Sequence, residues 1–165
     1  MKIIGIWAAV IVVLYAAQTS LLTLIDFNGV SVNFMLLFTV SAAFLRGPSW
    51  GVLFGFVTGI LQDSTTGSFF GCATFSFMTA GFFFGMFSSR VFKEQFFLPV
   101  VSSIFAGALH FLIMIAFVFL LGYRPDFVQM IYKILMPFLI FQVIFSWPVH
   151  KLVYTLDKYA RESKR

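Results

Sequence analysis

The sequence predicts an all-α polytopic membrane protein, a compact bundle of six transmembrane helices, from three observations. Of the 165 residues, 61% are hydrophobic and only 10% are charged, and the mean hydropathy is +1.00. Soluble domains are closer to half apolar and a quarter charged, so this chain has too few polar residues to cover a surface that faces water. The apolar residues also fall into six segments, and at about 20 residues per membrane span the chain has room for at most about six spans.

The six segments leave no room for a separate soluble domain, so residues 1–165 are predicted to form a single integral-membrane domain. The predicted spans cover about 3–22, 30–45, 50–62, 69–89, 97–121 and 128–149.

The first segment follows a single lysine, Lys2, and is apolar from Ile3 to Ala17. A secretory signal peptide has the same outline. Cleavage after Ala17 would, however, place Tyr15 at a position where signal peptidase needs a small residue. We therefore interpret this segment as an uncleaved first span.

The second and third segments are short. At 1.5 Å per residue the third covers only about 20 Å, whereas the hydrocarbon core of a bilayer is roughly 30 Å thick. Three explanations stay open: the two segments are extended at their ends, are shielded by neighbouring helices, or form a re-entrant hairpin. Between them, Arg46, Gly47 and Pro48 are predicted to form a cytoplasmic turn that is anchored by the arginine.

The last two segments are separated by a turn at residues 122–126, because the residue before a proline is biased out of the helical region. The fifth segment is the longest and carries His110 near its middle. Pro137 and Pro148 predict kinks in the sixth segment, and a short basic tail is expected after it.

Six spans place both termini on one side of the membrane, and the basic residues indicate which side. Only Arg124 and Lys133 fall on the opposite side. The lysines and arginines on the side of the termini are Lys2, Arg46, Arg90, Lys93, Lys151, Lys158, Arg161, Lys164 and Arg165. Since cytoplasmic loops carry the excess of positive charge, both termini are predicted to be cytoplasmic.

Glycines recur every four residues in the third segment, at Gly51, Gly55 and Gly59, and a second pair, Gly81 and Gly85, lies in the fourth. This spacing places the glycines along one face of a helix. Small residues at such a seam let two helix backbones approach closely within a membrane. We interpret the seam as intramolecular packing; a seam with a partner or with a second copy in a homodimer is the alternative.

Two further positions carry polar groups that need an explanation. Asp63, with Gly67 and Gly71 after it, is a candidate contact for a ligand or partner at the outer mouth of a cavity; the alternative is a solvated acid that ends the third segment. His110 is an ionisable residue in mid-membrane, which is by default a functional hypothesis. The alternative is a neutral, structural imidazole that is hydrogen-bonded to Gln142 or Gln18 of a neighbouring helix.

No constellation in the sequence predicts catalysis. The chain lacks a His-Glu-x-x-His pair, a Gly-x-Ser-x-Gly elbow and a phosphate-binding loop, and its single cysteine, Cys72, has no second cysteine to pair with. We therefore predict no catalytic residues, no metal and no cofactor. The net charge of +5 does not indicate nucleic-acid binding, because the basic residues lie at segment ends, where they set topology.

The order of features resembles the MreD family of rod shape-determining proteins, most strongly over about Asn33 to Gly85. The family often opens its second segment with a Pro-Asp pair, whereas this chain has Val32-Asn33 at that place. The residues that carry the resemblance are Leu45, Arg46, Gly47 and Pro48, then Gly51, Gly55, Gly59, Leu61, Asp63, Gly67 and Gly71, which precede an apolar span.

The resemblance implies a non-enzymatic, multi-pass protein of the bacterial inner (cytoplasmic) membrane that belongs to the cell-elongation machinery. Its direct partner would be MreC, and through MreC it would meet MreB, RodA and a class B penicillin-binding transpeptidase. The implied fold is similar to the substrate-binding component of energy-coupling factor transporters. In that picture the glycine seam and Asp63 would shape a central core or an outward-facing cavity.

A second function class also fits the residues, namely a small-solute, vitamin-like substrate-binding subunit of a transporter. The short second and third segments, flanked by glycine and proline, support it, since such segments can mark a binding site in transporters. A polar-lined pocket would distinguish this alternative from a scaffold.

Overall fold

The computed structural model describes residues 2–24, 32–66, 70–88, 97–123 and 126–162, and within these ranges the protein consists of helices and short turns without any strand. Six helices follow one another, of which the last, α6, has three parts. They are α1 (Lys2–Leu24), α2 (Phe34–Arg46), α3 (Pro48–Thr66), α4 (Cys72–Met86), α5 (Phe97–Leu120) and α6, which begins with a turn at Phe127–Met130, passes through a π-helical segment at Ile131–Leu135 and continues over Met136–Glu162.

The helices follow the order of the six predicted segments. Among the described residues, two stretches are long and apolar enough to cross a membrane, Phe97–Leu120 and Val128–Ala160, while Gly5–Ser20, Phe34–Arg46 and Cys72–Met86 are shorter apolar helices. These properties fit a membrane protein. The six crossings and the cytoplasmic position of both termini stay predictions.

Helix α2 is the centre of the fold. Every residue from Phe34 to Leu45 is buried, and α1, α3, α4, α5 and α6 all pack against this helix. Its first turn is capped by Asn33, whose side-chain oxygen accepts a hydrogen bond from the backbone N–H of Leu36 at 3.0 Å. Asparagine and aspartate are equally good caps, so Asn33 supplies the cap that an aspartate would supply at this position.

Helix α3 is longer than predicted, because it runs over 19 residues from Pro48 to Thr66 and not over 50–62. At 1.5 Å per residue it is about 28 Å long. Proline is favoured at the first position of a helix, where its missing N–H costs nothing. Gly47 makes the sharp turn before it with a φ of +94°, a conformation that favours glycine. Extension at both ends therefore accounts for the apparent shortness of the third segment.

Helix α4 is shorter than predicted, since it covers Cys72–Met86 within the expected 69–89. Residues 67–69 and 89–96 lie outside the described ranges.

Helix α6 does not stop at Val149, the predicted end of the sixth span, but continues through the expected basic tail to Glu162. The span boundary itself stays a prediction. Buried residues recur at helical spacing throughout this charged stretch, so it packs against the bundle as a helix face. These residues are Val149, His150, Val153, Asp157 and Ala160.

Both prolines of the sixth segment lie within α6. Pro148 is inside the regular part of the helix, and Pro137 lies two residues after the π-helical segment Ile131–Leu135. A proline ring in a regular helix would clash with the carbonyl group four residues earlier, here that of Lys133. The wider π-helical turn provides room at this point.

The glycine seam joins α3 to α4 within one chain. Gly51 faces the backbone of Gly81, Gly55 faces Phe77, and Gly59 faces Thr74. Gly85 continues the same contact at the beginning of α3, against the backbone of Pro48. A methyl group at Gly55 would lie 2.5 Å from the carbonyl oxygen of Phe77, which is closer than side-chain carbons come to backbone atoms. The two helices are therefore in backbone contact along their length.

We expect Gly55→Ala to destabilise the protein by roughly 1–3 kcal/mol, the usual cost of overpacking, and Gly55→Leu to lower the folded yield further. Gly5→Ala is the matched control, because nothing lies within 4 Å of a methyl group at Gly5. Thermal unfolding in mild detergent, followed by size-exclusion chromatography, measures the difference. Equal midpoints for Gly55→Ala and Gly5→Ala would contradict the seam.

Candidate functional site

At one end of the seam, the carboxylate of Asp63 caps the N-terminus of α4. Its Oδ2 accepts hydrogen bonds from the backbone N–H groups of Gly71 (2.9 Å) and Thr74 (3.0 Å) and from the Thr74 hydroxyl (2.6 Å), while Oδ1 accepts from the N–H of Ala73 (2.9 Å). The first N–H groups of a helix have no partner within the helix, and the positive end of its dipole favours an anion. From the neighbouring helix, Asp63 supplies both the hydrogen-bond acceptors and the negative charge.

This contact contradicts one of the two interpretations of Asp63, that of a solvated acid, while a contact with a ligand or partner stays a prediction. The residue does not end α3, which continues to Thr66, and it is not a solvated acid, since only 6% of it is exposed. Gly71 takes part through its N–H and has a φ of +100°, so a residue with a side chain would be strained there. Gly67, the third residue predicted for this site, lies outside the described residues.

A small cavity lies beside the Asp63 cap. It has a volume of about 60 Å³ and reaches His110 on α5. This volume has room for a few water molecules and is far below the roughly 300–1,000 Å³ of pockets that bind small molecules. Its lining comprises Gln62, Asp63, Thr66, Cys72, Ala73, His110 and Met114.

His110 has a different partner from the two predicted for it. Its Nδ1 lies 2.8 Å from the hydroxyl oxygen of Ser76 on α4, and not against Gln18 or Gln142. Gln18 instead donates to the side-chain oxygen of Gln62 at 2.6 Å and accepts from the N–H of Met35 at 3.3 Å. The contact of His110 with Ser76 and the two contacts of Gln18 each join one helix to another, so they act in packing.

Gln142 on α6 is fully buried. Its side-chain nitrogen and oxygen have no hydrogen-bond partner among the residues that the structure describes. The sequence thus placed this polar group inside the bundle correctly but paired it with the wrong residue.

At the other end of α3, Arg46 joins four helices. Its Nε donates a hydrogen bond to Oδ1 of Asp157 on α6 at 2.8 Å. The guanidinium carbon lies 4.7 Å from the ring centroid of Trp7 on α1 and 5.2 Å from that of Trp50 on α3. Arg46 is therefore more than the topological anchor that the sequence predicted, although Gly47 and Pro48 form the expected turn beside it.

Sequence reasoning missed this cluster because its charged partners are 111 residues apart. Asp157 lies in the stretch that was predicted to be a short basic tail. A signal was nevertheless present, since Val149, Val153, Asp157 and Ala160 share one helix face by their spacing.

An apolar groove of about 430 Å³ extends from the Arg46 cluster between α1 and α3. Trp7, Ile11 and Phe54 form its buried floor, while the more exposed Val12 and Leu53 stand at its rims. The full lining is Trp7, Ala8, Ile11, Val12, Arg46, Trp50, Leu53, Phe54, Val57 and Leu61.

The beginning of α6 differs from the rest of the helix. Between residues 128 and 141 no residue is buried, whereas buried residues recur from Gln142 onwards. This part of α6 stands at the periphery of the bundle and includes the π-helical segment.

The arrangement holds helices together. Asp63, Arg46 and His110 each contact a residue of another helix, and the described residues contain no group of three or more His, Cys, Asp or Glu side chains placed to hold a metal ion.

We expect Asp63→Asn to lower the free energy of unfolding by about 1–3 kcal/mol, because an amide nitrogen cannot accept the hydrogen bonds that one carboxylate oxygen accepts. Asp126→Asn is the matched control, since Asp126 is exposed and, among the described residues, its carboxylate accepts a hydrogen bond only from Gln129, at 3.3 Å. Denaturant titration in detergent compares the two variants. A change of equal size in both would contradict a capping role for Asp63.

A double-mutant cycle tests the contact between Ser76 and His110. We expect the effects of Ser76→Ala and His110→Leu on unfolding to be non-additive by roughly 0.5–3 kcal/mol, as is typical of contacting residues. Additive effects would show that the hydrogen bond contributes nothing. Normal folding with loss of cell-shape function in His110→Leu would instead assign His110 a functional role.

Residues 1–158 match the family model described as rod shape-determining protein MreD. No curated protein and no solved structure matches the chain. Since the match spans nearly the whole sequence, the chain belongs to the MreD family and is a component of rod-shape determination.

Proposed function

We propose that this protein is a non-enzymatic scaffold of the cell-elongation machinery in the bacterial cytoplasmic membrane. It binds MreC directly and thereby supports lateral peptidoglycan synthesis. Membership of the MreD family supports a role in cell shape. The use of Asp63, Arg46 and His110 in contacts between helices supports a structural mode of action over a catalytic one.

The observation that carries the proposal is the unburied beginning of α6. Tyr132, Met136, Ile140 and Ile144 are 50–69% exposed and follow one another every four residues along this helix. Helices associate in membranes by side-chain packing and not by a hydrophobic driving force, so a surface of this kind accepts a second helix. π-Helical turns are also frequent at functional sites. The single span of MreC is proposed to pack here.

A scaffold of this kind acts through differential binding. It biases its partners between two states only by binding one of these states more tightly. MreB, RodA and a class B penicillin-binding transpeptidase are then reached through MreC, without contacts of their own to this protein.

The solute-binding alternative receives less support. The polar cavity beside Asp63 has a volume of about 60 Å³, well below the roughly 300 Å³ at the lower end of small-molecule pockets. The larger groove between α1 and α3 has Arg46 at one end and otherwise apolar or aromatic side chains, so it lacks the several polar groups that orient a vitamin-like solute.

Site-specific photo-crosslinking in the native bacterium tests the scaffold proposal. With a photoreactive phenylalanine analogue at Ile140, we expect a crosslink to MreC, because this side chain is 58% exposed on the proposed face. The same analogue at Phe82 of α4, which is 52% exposed, is the matched control and should give no such crosslink.

Three other results would contradict the proposal. Crosslinking to MreC from Phe82 but not from Ile140 would place the partner elsewhere. A crosslink between two copies of this chain at Ile140 would make this face a homodimer seam. Co-purification of a bound solute or an ATPase subunit, with MreC absent, would favour the transporter.

A further inference from the structure

The groove between α1 and α3 is about as long as one leaflet of a bilayer is thick. From Trp50 to Leu61 its α3 wall covers roughly 16 Å, about half of the roughly 30 Å hydrocarbon core. A transmembrane helix of a partner would need a surface along the whole core. The groove therefore has the length of one acyl chain and not of a protein span.

The wide part of the groove is apolar, and the residues of its floor are buried. Ile11 and Phe54 are each 6% exposed, whereas Leu53 and Val57 on the rim are 50% and 40% exposed. The volume of about 430 Å³ falls within the roughly 300–1,000 Å³ of ligand sites. An extended hydrocarbon chain fits such a slot without needing a polar partner.

One end of the groove carries a cation between two aromatic rings. Arg46 lines it, and its guanidinium lies beside the rings of Trp7 and Trp50. Only Nε is engaged, by Asp157, so the two terminal nitrogens of Arg46 have no hydrogen-bond partner among the described residues. Tryptophan is enriched at the level of lipid headgroups, and arginine suits a phosphate group because its planar donors bind two oxygens at once.

The same end of the bundle carries further positive charge. Lys151 and Lys158 are exposed on α6, close in sequence to the Asp157 that holds Arg46. Basic pockets between membrane helices recognise anionic lipid headgroups. The charge at this end is thus complementary to a phosphate and not to a cationic or neutral ligand.

We propose that the groove between α1 and α3 is a binding site for an anionic phospholipid. One acyl chain lies along Ile11, Leu53 and Val57, and the phosphate accepts hydrogen bonds from the terminal nitrogens of Arg46. The bound lipid fills the gap between α1 and the rest of the bundle. This site lies apart from the proposed MreC face on α6 and does not depend on it.

Tryptophan fluorescence in nanodiscs tests the proposal. In a Trp147→Phe background the emission comes from Trp7 and Trp50, which both line the groove. Phosphatidylcholine nanodiscs are prepared with increasing fractions of brominated phosphatidylglycerol or, in parallel, of brominated phosphatidylcholine. We expect the anionic lipid to quench half of the emission at a roughly fivefold lower fraction, the preference expected for one basic residue at a membrane surface.

Two variants separate the acyl-chain site from the phosphate site. Val57→Phe narrows the groove and should abolish the preference, whereas the matched Val101→Phe, at an exposed position of α5, should leave it unchanged. The pair Arg46→Gln with Asp157→Asn removes the cation without leaving a buried acid unpaired. In this double variant, the two lipids should quench half of the emission at the same fraction, and both should still quench.

Equal quenching by the two lipids in the parent protein would overturn the proposal. A preference that persists in Val57→Phe would show that the lipid binds elsewhere. A photoreactive residue at Leu53 that crosslinks to a protein in cells, and not to lipid, would assign the groove to a protein partner.

Discussion

The fold depends on one buried carboxylate, that of Asp63, which closes the contact between α3 and α4. Backbone contact at Gly51, Gly55 and Gly59 brings α4 so close that the N–H groups of its first turn face the neighbouring helix and not water. In lipid or in a protein interior, such unpaired groups would each cost several kcal/mol. Asp63 accepts these hydrogen bonds, and the glycines allow the approach, so neither feature is effective without the other.

A second polar contact at the opposite end of α3 complements the first. Arg46 ties the end of α2 to α6 through Asp157 and lies beside Trp7 and Trp50 of α1 and α3. Between the two ends, the hydroxyl groups of Thr39 and Thr58 lie 2.7 Å apart and join α2 to α3. These polar groups set the register of helices around α2. Two surfaces, the beginning of α6 and the groove at α1, expose mainly apolar side chains at the outside of this framework.

The sequence predicted those features that depend on local spacing. The four-residue period of the glycines was sufficient to predict a close helix contact, and composition was sufficient to predict an all-helical membrane protein. The sequence alone could not predict contacts between distant residues, such as Asp63 with α4 or Arg46 with Asp157, because tertiary packing decides which helix faces meet. The end of α6 was missed for a related reason: charged residues indicated a tail, while the buried side chains between them kept the helix continuous.

The central claim is that the Asp63 carboxylate holds the N-terminus of α4 within the protein. Amide hydrogen exchange of the folded protein in detergent, resolved at single residues, tests this most directly at Ala73 and Thr74. We expect these two N–H groups to exchange as slowly as those in the middle of α4, because both donate to a buried carboxylate. Exchange at the fast rate of an uncapped, solvent-exposed first turn would contradict it.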